Sequence, residues 1–176
     1  EYKMLQLLTA KPVLYVCNVD EDSAAAGNAY SGAVAQKAAA ENARAVVISA
    51  AIESEVAQLE NEDEQKEFLA SLGLEETGLS KVIRAGYNLL GLETYFTAGP
   101  KEVRAWTFLK GSKAPQCAGI IHSDFERGFI RAETIAFADF VKYGGEQACK
   151  EAGKMRSEGK DYVVQDGDLL NFLFNV

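Results

Sequence analysis

The sequence predicts a parallel-stranded α/β region followed by a smaller α+β region, and three observations carry that expectation. "PVLYVCNV", residues 12–19, is a run of apolar β-formers without alternation, the pattern of a strand covered on both faces. The Ala-rich, helix-favouring "AYSGAVAQKAAAENA" and the β-branched "RAVVISA" follow, so strand, helix and strand imply a right-handed crossover between parallel strands. From Glu93 onward the pattern turns to short strands around Gly and Pro, and the charge changes with it. Residues 1–92 carry 7 basic and 14 acidic side chains, residues 93–176 carry 11 and 12. The expected boundary is therefore 92/93.

The remaining elements follow in order. "IESEVAQLENEDEQKEFLASLGL" reads as a charged amphipathic helical region, and "SKVIRAGYNLLGL" as a helix that Gly91 stops. "TYFTAG" and "EVRAWTFLKG" read as a hairpin around Gly99-Pro100, and "APQCAGIIHSDFERG" as one helix with Ala118, Ile121 and Phe125 on a face. "FIRAETIAF" is an alternating strand, and residues 138–159 are helix or loop. "DYVVQDGDLLNFLFNV" reads as a closing hairpin turned at Asp166-Gly167, its last strand placing Leu169, Asn171 and Leu173 on one face of a sheet covered on one side only. Strand pair, helix, strand and final hairpin is the order of a β-grasp, ubiquitin-like unit.

With 176 residues, 48% apolar content and a net charge of -8, the chain can bury a core and cannot hold nucleic acid through bulk charge. No apolar run reaches bilayer length and no signal-peptide prefix is present, so a cytoplasmic, membrane-free location is expected, with no DNA partner. Cys17, Cys117 and Cys149 share no metal or pairing spacing and only His122 could assist them, so they read as reduced core thiols. His122, far in sequence from the first strand's end, reads as structural. No catalytic residue and no metal ligand set is expected in this chain.

Two strand ends carry the candidate chemistry. Asn18 and, three positions on, Glu21 follow the first strand, where open parallel sheets bind ligands. In the guanine-reading form of such a motif the fourth position is Asp. The extra methylene of Glu21 disturbs that paired fit and weakens guanine selection. The alternative is a strand end rich in turn formers. Ser49, Ala50 and Ala51 end the neighbouring strand, and small residues there let backbone amides approach a purine. Together the two ends form the base-binding half of a P-loop nucleotide fold. The phosphate half has no counterpart, for no GxxxxGK[ST] loop occurs. The chain also starts without Met within a helical pattern and reads as the C-terminal part of a longer protein. In the second region Lys101, Arg104, Lys110 and Lys113 interleave with Trp106 and Phe108, and Arg127 and Arg131 flank Phe129. This is either a phosphate-contacting, base-stacking sheet or core aromatics opposite solvated charges.

"LLTAKPVLYVCNVDED", "GLSKVIRAGYNLLGLETYFTAGPKEVRAWTF", "IHSDFERGFIRAETIAF" and "KEAGKMRSEGKDYVVQDGDLLNFLFNV" resemble the bacterial branch of the YchF or Obg-like ATPase family, from the end of its coiled-coil insertion onward. The resemblance implies the C-terminal part of a P-loop NTPase sheet, Rossmann-like, at residues 1–92, and a TGS domain of β-grasp type at 93–176. It implies that Asn18 and Glu21 are the altered base motif, that the Val19 backbone lies near the base, and that Ser49, Ala50 and Ala51 are the last nucleotide loop. It further implies hydrolysis of ATP, with GTP often accepted, together with Mg2+, and a ribosome or RNA partner met through the basic residues named above. The family's phosphate-loop Lys, magnesium ligands and catalytic His have no counterparts here. The isolated chain is then expected to be inactive, and the contrasting expectation is a non-enzymatic RNA or protein adaptor.

Overall fold

The computed structural model describes residue 4 and residues 7–99 and 102–175. They form two compact units, Glu1–Leu90 and Gly91–Val176. The expected helical start of the chain falls on residues that are mostly outside this description.

In the first unit, strands β1 (Leu14–Asn18) and β2 (Arg44–Ile48) pair in parallel from Leu14↔Arg44 to Asn18↔Ile48. Helix α1 (Ala29–Ala40) makes the crossover. Asn28 starts it by accepting from the backbone N–H groups of Tyr30 and Ser31, while Ser31 Oγ accepts from Asn28 N, a reciprocal capping box. The expected single charged helix is two, α2 (Ala50–Val56) and α3 (Glu62–Ser71). Asn61 divides them, because its side chain accepts from Asp63 N at 2.9 Å and begins a new helix. Helix α4 (Gly78–Leu90) then runs to Gly91, whose φ of 63° ends it.

The two faces of the short sheet are set by alternation. A Cβ at Gly27, just before α1, would meet Val47, whereas one at Gly78, the start of α4, would lie 2.9 Å from the Ile48 side chain. Adjacent strand residues point to opposite faces, so the starts of α1 and α4 approach the sheet from opposite sides. The core of this unit joins Ala24, Ile52, Val56 and Leu69, with Phe68 and Leu74 against it. The expectation of a fully buried first strand is corrected. Val13 and Val16 are about half exposed, because among the described residues β1 pairs only with β2.

The second unit is a five-stranded sheet in the order β4-β3-β7-β5-β6. Strands β3 (Leu92–Ala98) and β4 (Val103–Leu109) form the expected antiparallel hairpin, closed by Gly99 N donating to Glu102 O at 2.9 Å. Pro100 of the expected turn lies outside the described residues. The single helix read over 114–128 is two, α5 (Ala114–Ile121) and α6 (Ser123–Arg127). His122 separates them in extended conformation, its Nδ1 accepting from Asp124 N at 3.1 Å, so the lone histidine is a helix cap. Strand β5 (Phe129–Ile135), helices α7 (Phe137–Tyr143) and α8 (Glu146–Glu151), and strand β6 (Arg156–Glu158) follow.

The last strand, β7 (Leu169–Phe174), is not half of a hairpin. It pairs antiparallel with β5 and meets β3 in parallel at Phe96↔Leu169. The Asp166-Gly167 turn is real, with Gly167 at φ 83°, but it docks on β3. Asp166 Oδ1 accepts from Thr94 N at 2.8 Å and Gly167 N donates to Thr94 O at 2.7 Å. The alternation of β7 is as expected, but the one-sided cover of the sheet is corrected. Leu170 and Phe172 join Tyr95, Phe108, Cys117 and Phe129 in the main core, while Leu169 joins Ile135 and Cys149 beneath Phe140 and Tyr143. The sheet is thus covered on both faces where α7 and α8 pack.

Candidate functional site

Parallel pairing brings Asn18 and Ile48, the last residues of β1 and β2, side by side. Asn18 Oδ1 accepts from Ala50 N at 2.9 Å, which ties the two strand ends together. Since a backbone N–H demands an acceptor, this bond also fixes which way the amide lies. That bond does not engage the Nδ2 donors of Asn18 or the second lone pair on Oδ1. Val19 N donates to Ile48 O at 2.9 Å and holds the next residue against the same strand end.

Asp20 Oδ1 accepts from Ser23 N at 3.0 Å, and Glu21 opens the resulting 3-10 turn, Glu21–Ser23, with its side chain exposed. Of the expected strand end Ser49, Ala50 and Ala51, only Ser49 is extended, at φ -124° and ψ 111°. Ser49 precedes α2, and both alanines lie exposed in its first turn. Ser49 is 3% exposed and its Oγ has no partner among the described residues, an uncommon state for a buried hydroxyl. The structure therefore gathers Asn18, Val19, Ser49 and Ala50 at one sheet end, with Glu21 on the adjoining turn.

The basic residues of the second unit do not form one row. Arg104 shares a sheet face with Trp106 and the buried Phe108, whereas Arg131 lies on the face opposite buried Ala132, so Phe108 is core and no stacking platform. Lys110 follows β4, Lys113 precedes α5 and Arg127 ends α6. Lys101 lies outside the described residues. Each of these five cations has a carboxylate: Arg104 has Glu102 at 3.7 Å, Lys110 has Glu93 at 2.9 Å, Lys113 has Asp161 at 2.7 Å, Arg127 has Asp124 at 2.7 Å and Arg131 has Glu133 at 3.6 Å. The hydrogen bond from Lys113 holds Asp161 below the usual carboxylate range, and that to Glu93 raises Lys110. Exposed pairs of this kind contribute little stability, but they do reduce the net positive field.

A buried polar cluster escaped sequence reasoning. Asp168, 3% exposed, accepts from Tyr162 Oη at 2.7 Å and Gln165 N at 2.9 Å, with Arg156 3.9 Å away. Burial first, and the bond to Asp168 second, push the Tyr162 hydroxyl up to about 12. The signal available was an Asp inside an apolar run, next to a turn that the local pattern already explained.

Residues 92–175 match the family YchF-GTPase_C, described as "Protein of unknown function (DUF933)". The "Ribosome-binding ATPase YchF" of Bacillus subtilis is 61% identical over 176 residues, which are 99% of this chain and 48% of that protein. The chain corresponds over its length to the C-terminal half of YchF proteins. The Escherichia coli O157:H7 protein of the same name is 59% identical over 174 residues, covering 99% of this chain and 47% of its own length. The solved structure of the Schizosaccharomyces pombe YchF GTPase superposes with a TM-score of 0.82 at 38% identity, over 98% of this chain and 46% of that one. A mixed α/β fold is thereby shared with YchF. The chain spans about half the length of the curated relatives it matches.

Proposed function

We propose that this chain is the base-reading and TGS portion of a ribosome-associated, purine-nucleotide-hydrolysing YchF protein. The observation that carries the reading is the Asn18 to Ala50 hydrogen bond, which joins the two strand ends at which a base would be read. In this reading residues 1–92 are the C-terminal part of a P-loop sheet. Asn18 Nδ2 is the ring-acceptor reader, Glu21 the altered selector, and Ser49 with the Ala50 and Ala51 turn the opposing wall. The phosphate-binding and Mg2+-binding groups belong to the other half of the longer protein. Residues 93–176 are the β-grasp TGS domain, a reading supported by the strand order with its central parallel bridge. The names of the relatives speak for ribosome association, and the adjacent Arg104 and Trp106 for an RNA contact in this half.

The deciding experiment titrates ATP and GTP against the full-length protein and its Glu21→Asp variant. Shortening the side chain should shift preference toward GTP by about 1–3 kcal/mol, since one polar pairing is restored while other contacts stay. An unchanged ATP:GTP ratio would remove Glu21 from the reading. The 176-residue chain alone should release no phosphate from either nucleotide above background.

A further inference from the structure

Strands β3 and β7 meet at a single parallel bridge, Phe96↔Leu169, after which β3 ends at Ala98 while β7 continues to Phe174. Beyond the bridge lies an open cleft of about 520 Å³. Trp106, Ile121, Phe125 and Phe174 supply apolar lining, and Glu102 supplies polar lining. Its volume falls within the range of small-molecule sites.

We infer that this cleft takes an unstacked nucleobase of single-stranded RNA, an inference that rests on the RNA contact proposed for this half of the chain. A base needs flat apolar surfaces for its faces and hydrogen-bonding groups for its edge. Phe125 and Phe174 stack at 3.9 Å with rings 26° apart, and Phe174 is 38% exposed. Trp106 is fixed by its indole N–H, which donates to Thr97 Oγ1 at 2.9 Å. A planar cation, the Arg104 guanidinium, already lies 4.1 Å over the Trp106 ring. Among the described residues that guanidinium is otherwise held only by the exposed 3.7 Å pair with Glu102, so a backbone phosphate can draw it away. The Glu102 carboxylate, which lines the cleft, offers acceptors for a base edge, which an apolar side chain from a protein partner would not use, whereas the Asn171 amide donates to Glu133 Oε2 at 3.2 Å and by alternation stands on the sheet face opposite Phe172 and Phe174. Because the neighbouring cations are paired to carboxylates, stacking and edge bonds would supply most of the affinity. Binding should then depend only weakly on salt, unlike a contact made by free cations.

Trp106 is the only tryptophan of the chain and reports on its own site. The test titrates the 176-residue chain with short oligoadenylate and oligouridylate. It follows Trp106 emission, the anisotropy of labelled oligonucleotide and, in parallel, cosedimentation with ribosomes. Saturable quenching that tracks binding is expected, with Phe174→Leu weakening it about tenfold. Glu102→Gln, at an exposed position, should weaken it less while leaving the fold, read by circular dichroism, unchanged. Oligonucleotide binding with Trp106 emission unmoved and both variants at parental affinity would overturn the cleft and leave the RNA contact standing. Ribosome association without oligonucleotide binding would do the same. Loss of both would overturn the cleft and the RNA contact together.

Discussion

One carboxylate, Glu53 on α2, helps to start a different helix. Its two oxygens accept from Gly78 N at 2.6 Å and Leu79 N at 3.1 Å, the first donors of α4, which have no partner within that helix. Glu53→Ala should lower the unfolding free energy by about 1–3 kcal/mol, since it strands partly buried N–H groups. Urea denaturation checks this, and a midpoint within error of the parent would show that water or Thr77 replaces the carboxylate. Thr77 is the local cap, its Oγ1 accepting from Ser80 N at 3.1 Å, and such a cap is readable in sequence. Glu53 is not, for it lies 25 residues upstream and only the packing of α4 against β2 and α2 brings the two together. The candidate base site divides in the same way. The Asn18, Glu21 spacing was visible as a motif, but the occupation of Asn18 Oδ1 by Ala50 N depends on the register of two parallel strands.

At the scale of elements, β7 teaches most. Its turn was legible because Asp-Gly is a local signal, yet the strand it feeds pairs with β3 and β5, both far away in sequence, and local alternation could not rank those partners. Nor could local alternation show the cover over Leu169, which depends on α7 and α8 packing on the second face. The polar cluster at the head of β7 gives an alkaline limit to stability. Tyr162 is pushed from 10.0 up to about 12, and burial pushes the Cys117 thiol from 9.0 up to about 12. Both are neutral in the fold and ionise earlier when unfolded. Their contribution is therefore intact below pH 9 and falls as pH rises toward 12, where the folded groups ionise too. Tm measured from pH 8 to 11 should decline from about pH 9, and Cys117→Ala should shallow the decline. A flat profile would contradict the assignment. Replacing Arg104, Lys110 and Lys113 together by Ala should reduce ribosome cosedimentation only modestly, because each already faces a carboxylate. A fall in salt slope of about three would mean that the carboxylates yield to phosphates.

For the whole molecule, the division between Leu90 and Gly91 separates two cores that are built from different residues. The sequence reading put the change two residues later, where composition and charge shift. Residues 91–176, with their own sheet and aromatic core, are expected to fold without the rest. A dispersed amide NMR spectrum with cooperative melting would bear this out, and a collapsed spectrum would sink it. Gly91 alone lies between α4 and β3, at a φ of 63° that other residues adopt at a cost of about 1–2 kcal/mol. That single residue has a consequence for protein engineering. Reporter insertions and circular permutations are customarily aimed at boundaries between compact units, on the assumption that a slack linker joins them. Here there is no slack to splice into, and the better site is Gly144-Gly145 between α7 and α8, where even an added Cβ would meet open space.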